Sequence, residues 1–305
     1  MSNQNANIAQ SVRQRLLNLA RQTGQDYNRL LVRYSLERIL YRLSQSEHAD
    51  RFILKGAMLF AVWSGQQYRS TQDLDLLGTG DNSPADLKNV LREVCGIEIG
   101  VLDGMAYDPE TVTAEIIGED MQYEGVRIRI ESKLGTARIP LIIDVGFGDA
   151  VTPAPREEEF PALLDVPAPR IRAYPRESVI AEKLEAMVSL GEANSRMKDF
   201  ADVYFLSKHF DFDGPVLAEA IASTFARRKT PIIEAPAAFT DKFAGLDHKQ
   251  AQWRAFLRRT TPQGIPEGLS DVVAGIATFL GPILAHLATN QPLPQRWQAP
   301  GPWQF

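Results

Sequence analysis

The segment Arg69-Ser-Thr-Gln-Asp-Leu-Asp-Leu76 constrains this chain more than any other. Its alternation of apolar and acidic residues predicts a strand, on which successive side chains point to opposite faces. Leu74 and Leu76 turn to one side, and Asp73 and Asp75 to the other. Two carboxylates held that close repel each other unless a cation lies between them. Mg²⁺ takes carboxylate and phosphate oxygens, and carboxylates holding metal ions can clamp an in-line displacement at phosphorus. The competing reading is a solvated strand face with incidental acids.

Asp144 sits in a second strand candidate, among Leu141, Ile142, Ile143 and Val145. An acid in so apolar a strand is costly to bury without a partner. It is either a third ligand of the same metal site or a strand-end acid leading into the turn Gly146-Phe-Gly148. In the later half, Val179, Ile180, Leu184, Met187 and Val188 share one helical face with Lys183. Lysine is rarely buried without a partner. Asp199 and Asp202 follow at i, i+3 on the next helix candidate. Either Lys183 pairs with one of these acids across a helix hairpin, or it reaches nucleotide phosphates with Asp199 or Asp202 orienting it. Lys55-Gly56-Ala57 stands at a strand-to-helix junction, where a glycine admits a triphosphate close to backbone N–H groups.

The order of elements predicts an α+β fold. Residues 7–46 read as two helices broken at Gly24, with Asp26 as N-cap of the second. A strand at 51–56 leads to a helix at 57–63, then the acidic strand, a helix at 85–94, and strands at 112–117, 126–130 and 139–145. This gives a small mixed sheet with helices packed on it. Prolines 153, 155, 161, 167, 169 and 175 mark residues 151–175 as a linker. Residues 176–305 read as a helical domain, with an irregular Pro/Trp-rich tail, and residues 1–150 as the α/β domain.

Charge is distributed unevenly. The net value of −5 argues against a phosphate-binding surface. Yet residues 1–46 carry seven arginines against Asp26 and Glu37, and residues 81–124 carry eleven acids against Lys88 and Arg92. The arginine-rich helices at 13–42, and the stretch Lys249 to Arg259 with Trp253 and Phe256 interleaved, are candidates for RNA phosphate contacts and base stacking, or are solvated faces. The lone cysteine, Cys95, excludes an internal disulfide, and no Cys/His cluster has zinc spacing. The N-terminus lacks the apolar core of a signal peptide. The apolar run Val272–Ala288 falls short of the ~20 residues that span a bilayer and reads as a buried helix. The expected location is cytoplasmic, with no membrane partner.

Taken in order, Phe52-Ile-Leu-Lys-Gly-Ala57, Arg69 to Leu76, Ile143-Asp-Val-Gly-Phe-Gly-Asp149, Ala181-Glu-Lys-Leu-Glu-Ala-Met187 and Asn194 to Tyr204 resemble the nucleotidyltransferase-like AbiEii/AbiGii toxin family, of the DNA polymerase β-type nucleotidyltransferase superfamily. The resemblance covers about residues 30–210. It implies that Asp73 and Asp75 are the metal-binding pair, Asp144 the third strand acid, Lys183 the lysine of the helical half, and Asp199 or Asp202 its associated acid. Lys55, Gly56, Arg69, Thr71 and Lys183 become the expected nucleotide-binding residues, and Mg²⁺ the cofactor. The implied activity is transfer of a nucleotide from an NTP to an RNA acceptor, for some relatives tRNA, with release of pyrophosphate. The implied setting is a toxin–antitoxin or phage-defence system with a cognate antitoxin, usually encoded alongside. Where the wider superfamily has Gly-Ser, this chain has Gly56-Ala57, and its spacing to Asp73 is longer. Two rivals remain: a binding protein of this fold acting through a partner, and an NTP-dependent phosphotransferase.

Overall fold

In the computed structural model, which describes residues 3–65, 68–69, 71–117 and 125–305, the N-terminal stripes form α1 (Asn3–Thr23) and α2 (Tyr27–Ser44). Gly24 breaks them with a φ of 70°, which glycine adopts without steric cost. Asp26 caps α2 by accepting the Arg29 N–H at 2.9 Å. α2 buries Leu30, Leu36, Ile39 and Leu40, and with them Glu37, Arg38 and Arg42. Buried charges need partners, and these have them. Asp103 takes Arg38 Nε at 3.2 Å and Arg42 Nη1 at 2.8 Å, while Glu37 accepts the Leu163 N–H at 2.8 Å.

The expectation that the N-terminal arginines serve RNA is therefore corrected for Arg38 and Arg42, which are committed to an internal acid. Their partner lies more than sixty residues away, beyond the reach of local pattern reading. The basic and acidic stretches thus neutralise each other in part through Asp103, and just beyond the basic stretch Arg51 pairs with Asp86 and His48 with Glu93. Three of the eleven acids, Glu119, Asp120 and Glu124, lie outside the described residues.

The sheet begins with β1 (Phe52–Lys55), followed by a 3₁₀ turn and the short α3 (Leu59–Ser64). Next come β2 (Asp73–Gly78), α4 (Pro84–Gly96), β3 (Met105–Tyr107), β4 (Thr113–Ile117), β5 (Gly125–Leu134) and β6 (Ala137–Phe147). Residues 151–175, read as a linker, carry β7 (Arg156–Glu159) and β8 (Arg170–Ala173). Their prolines all fall outside the two strands, so none removes a ladder hydrogen bond. The strand order is β3-β5-β6-β2-β1-β8-β7, with β4 also on β5. β2 and β6 run parallel, as do β1 and β8, and the other neighbours are antiparallel.

Period-2 alternation sorts the two faces of this sheet. Leu74, Leu76, Val126, Ile128, Ile130, Ile139, Leu141, Ile143 and Val145 are buried. α2 packs there, with Ser35 Oγ and Ser132 Oγ 2.8 Å apart in the interior. Asp73, Asp75, Arg127, Arg129 and Asp144 occupy the alternate positions and keep partial access to solvent.

The chain divides into two compact units, Met1–Gly148 with Arg156–Ala173, and Asp149–Pro155 with Tyr174–Phe305. The second contains α5 (Arg176–Leu190), α6 (Met197–His209), α7 (Gly214–Arg228), α8 (Asp241–Gly245), α9 (Asp247–Thr260) and α10 (Leu269–Thr289). A small sheet joins β9 (Phe212–Asp213), β10 (Arg296–Trp297) and β11 (Trp303–Gln304). The tail is thus ordered where an irregular one was expected. Its tryptophans supply the reason: Trp297 and Trp303 are buried, and their indole N–H groups donate to Ser207 O and Phe279 O, both at 2.7 Å.

α10 is longer than the apolar run that marks it. By length and composition alone it could cross a membrane. In this fold Val272, Val273, Ile276, Phe279, Leu280, Ile283 and Leu284 form a buried stripe, the period of a helix packed on a core.

The basic stretch on α9 is a second correction. Lys249, Trp253 and Phe256 are buried, so the two rings have no face for a base. The lysine ammonium donates to Asn194 O at 2.6 Å, and the indole to Glu267 O at 2.9 Å. Their i, i+4, i+7 spacing was the core signal.

Candidate functional site

Strand pairing brings the acids of the two separate motifs together. β2 sets Asp75 opposite Asp144 on β6, and on its other side opposite Lys55 on β1. β5 sets Arg127 opposite Asp144. Four adjacent strands therefore present one row, Lys55, Asp75, Asp144 and Arg127, with two acids flanked by two cations. Asp73 joins from two residues earlier on β2. One carboxylate oxygen from each of Asp73, Asp75 and Asp144 lies within 4.8 Å of the others.

Each acid is held from a different direction. The Thr71 hydroxyl donates to Asp73 Oδ1. Asp75 packs on Gly56, where a Cβ would stand 1.9 Å from Asp75 Oδ2 and where φ is +73°. Glycine is thus required twice over, for its backbone and for its missing side chain. Asp144 receives a bidentate clasp from Arg127, Nε to Oδ1 at 2.8 Å and Nη2 to Oδ2 at 2.7 Å. The hydrogen bonds to Asp144 are the main cause that holds the Arg127 guanidinium above its ordinary pKa, with Asp73 and Glu115 adding to it from farther off.

The residues fit a divalent cation. The donors are all carboxylate oxygens, which hard cations prefer, and they converge from two paired strands beside a position cleared by glycine. A second grouping, Glu47, His48 and Glu93, is weaker in kind. Both its glutamates are exposed, and His48 Nε2 already lies 2.7 Å from Glu93 Oε2.

Of the other predicted residues, Lys55 closes β1 half-buried. Arg69 is only 8% exposed, so its guanidinium is largely an interior group. In the second unit, α5 and α6 bring Lys183 to both candidate acids at once, 2.6 Å from Asp199 and 2.8 Å from Asp202. Arg196 Nε lies 2.7 Å from the other Asp199 oxygen. Two fully buried carboxylates thus face two cations, and charge balances locally. Asn194 sets the start of α6 by accepting the Arg196 N–H at 2.8 Å.

Sequence reading missed two groups. Arg127 was visible as the polar half of the alternation Val126-Arg-Ile-Arg-Ile130, but only the pairing with β6 shows what it faces. A charged hub in the second unit was not legible: Arg228 pairs with Asp149 at 2.9 Å and Glu185 at 2.8 Å, with Glu182 at 3.8 Å. Its members are scattered over eighty positions.

A mixed sheet with convergent carboxylates, preceded by helices and followed by a helical unit, defines a nucleotidyltransferase fold of the DNA polymerase β type. The chain belongs to the AbiEii family: residues 38–275 match the family described as nucleotidyl transferase AbiEii toxin, type IV toxin–antitoxin system. That family placement implies an antitoxin partner. Among solved structures, JHP933 from Helicobacter pylori is similar at 15% identity, with a TM-score of 0.49, over 84% of this chain and 93% of that one. A candidate nucleotidyltransferase from H. pylori is similar at 16% identity, with a TM-score of 0.46, over 83% of this chain and 95% of that one. No curated protein sequence matches the chain.

Proposed function

We propose that this chain is a Mg²⁺-dependent nucleotidyltransferase that moves a nucleotide from an NTP to an RNA acceptor, tRNA being the first candidate, and acts as a cytoplasmic toxin. The observation that carries the reading is the convergence of Asp73, Asp75 and Asp144 within 4.8 Å. Asp73, Asp75 and Asp144 would hold the cation, and bound Mg²⁺ would supply charge stabilisation at the reacting phosphate. The acceptor hydroxyl oxygen attacks the α-phosphorus, the bond from that phosphorus to the bridging oxygen breaks, and pyrophosphate leaves.

The chain's own residues position this exchange. Gly56 leaves room beside Asp75, and Thr71 fixes the rotamer of Asp73. Lys55, across β1 from Asp75, offsets negative charge on the triphosphate side. Asp144 would help the bound cation activate the acceptor hydroxyl and would accept its proton. Arg69 completes the proposed nucleotide-binding residues of the first unit, and Lys183, with Asp199 and Asp202, is the phosphate-binding candidate of the second. Chemistry of this type rests on positioning and electrostatics more than on covalent catalysis.

Incubation with α-labelled NTPs, Mg²⁺ and total RNA tests the reading. The expected result is label on RNA and release of pyrophosphate. Release of a nucleoside diphosphate would mark a phosphotransferase instead, and no transfer from any NTP would leave a binding protein acting through its partner.

A further inference from the structure

The exposed face of the sheet continues beyond the carboxylates into a groove of about 550 Å³, within the range of small-ligand pockets. Pro140 and Ile142, with Val32 of α2 at its edge, give it apolar lining, Thr111, Thr113 and Gln72 bring polar groups, and Arg129 brings a charge. Register ties it to the acids: Asp73 pairs with Ile142, Ile142 with Arg129, and Arg129 with Thr113. Neighbouring strands lie about 4.8 Å apart. A nucleoside lying over Ile142 and Arg129 therefore brings its ribose to about 5–10 Å from Asp73.

We propose that this groove seats the 3′-terminal nucleoside of the acceptor RNA. The inference rests on the nucleotidyl-transfer reading above and adds the place and polarity of the acceptor. In-line displacement puts the attacking hydroxyl and the leaving pyrophosphate on opposite sides of the α-phosphorus. Lys55 and Gly56 lie on the β1 side of the acids, and the groove lies on the β6 side. The donor triphosphate takes the first flank, so the groove belongs to the acceptor.

Charge supports a polyanion there. With Arg127 held by Asp144, Arg129, Lys133 and Arg138 are the cations that β5 and β6 present beyond the carboxylates on this face, against Glu115 and Glu131. Arg129 pairs with Glu115 at 3.1 Å, but both side chains are at least half exposed, and such a pair is weak enough to exchange for a phosphate. Lys133 and Arg138 face each other farther along, about 14 Å from Arg129 at 3.4 Å per residue. They suit the phosphates that precede the terminal nucleotide.

Photo-crosslinking on the full chain tests this, with one arm using a short single-stranded RNA ending in a 3′-terminal 4-thiouridine and a second arm using 4-thio-UTP. The RNA is expected to crosslink within residues 111–113, 129–131 or 140–142, and 4-thio-UTP elsewhere. Arg129→Glu should weaken RNA binding about tenfold or more, the scale of one lost stacked base or phosphate contact, with NTP affinity kept within about twofold. Crosslinks of 4-thio-UTP in the groove, RNA crosslinks elsewhere, or an unchanged RNA affinity in Arg129→Glu would each overturn the assignment. The α-label assay on the same preparation separates the two levels. Transfer with RNA crosslinks elsewhere removes only the groove, whereas groove crosslinks without transfer remove only the transferase reading.

Discussion

Gly56→Ala is the most informative single change, because Gly65 provides a matched control. Both glycines have a φ of +73°, but a Cβ at Gly65 meets nothing within 4 Å among the described residues, whereas at Gly56 it meets Asp75 Oδ2 at 1.9 Å and Cγ at 2.6 Å. An alanine at either position costs about 1–2 kcal/mol for the left-handed backbone. Only at Gly56 must a carboxylate also move. Cβ atoms keep at least 3.0 Å from such neighbours, so Asp75 has to shift by about 1 Å. A displacement of that size costs on the order of 10²-fold in rate at a reacting centre, and disturbed support of a ligand costs about 10–100-fold in metal affinity. Urea denaturation should show similar losses of stability in the two variants. Titration with Mn²⁺, followed by the EPR signal of the free ion, should show weaker binding in Gly56→Ala alone. Equal Mn²⁺ affinity in Gly56→Ala and Gly65→Ala would refute the claim that Asp75 belongs to a cation site supported by Gly56.

Three further outcomes are expected. Asp73→Ala should restore growth when the chain is expressed without an antitoxin; persistent toxicity at equal expression would exclude Asp73 from the metal set. Lys183→Met should destabilise the fold by about 3 kcal/mol, since it removes the cation that two buried acids share; an unchanged urea midpoint would show that the pair is not structural. Burial pushes the Glu37 carboxyl up to about 7 despite the Leu163 N–H and Arg38, which pull it down. Below about pH 4.5 both folded and unfolded states hold that proton, and the group is neutral in its effect. Between about 4.5 and 7 only the folded state holds it, so stability falls as pH rises, by about 3 kcal/mol in full above pH 7. Glu37→Gln should therefore gain on the wild type between pH 5 and pH 8, and a constant difference in unfolding free energy across that range would contradict the assignment.

The site and the fold were legible to different depths. Asp73, Asp75 and Asp144 stood out because a carboxylate in a strand of leucine and isoleucine breaks the local pattern, and the helices of both halves followed from their apolar period. What the sequence hid was pairing between distant segments. Arg38 and Arg42 looked like solvent-facing cations until Asp103 met them, and β7 and β8 lay hidden between prolines. Trp297 and Trp303 resembled an irregular tail because a two-residue strand carries no periodic signal. Lys249, Trp253 and Phe256 are the instructive case, since their spacing was a core stripe and their composition suggested RNA. There, burial decided between the two.

The central claim is that Asp73, Asp75 and Asp144 form the cation site at which an NTP reacts. Anomalous diffraction from crystals grown with Mn²⁺ and a non-hydrolysable NTP tests it most directly. Anomalous density bounded by these three carboxylates and touching the nucleotide phosphates is the expected result. Density only at Glu47, His48 and Glu93, or phosphates bound away from β2 and β6, would contradict it.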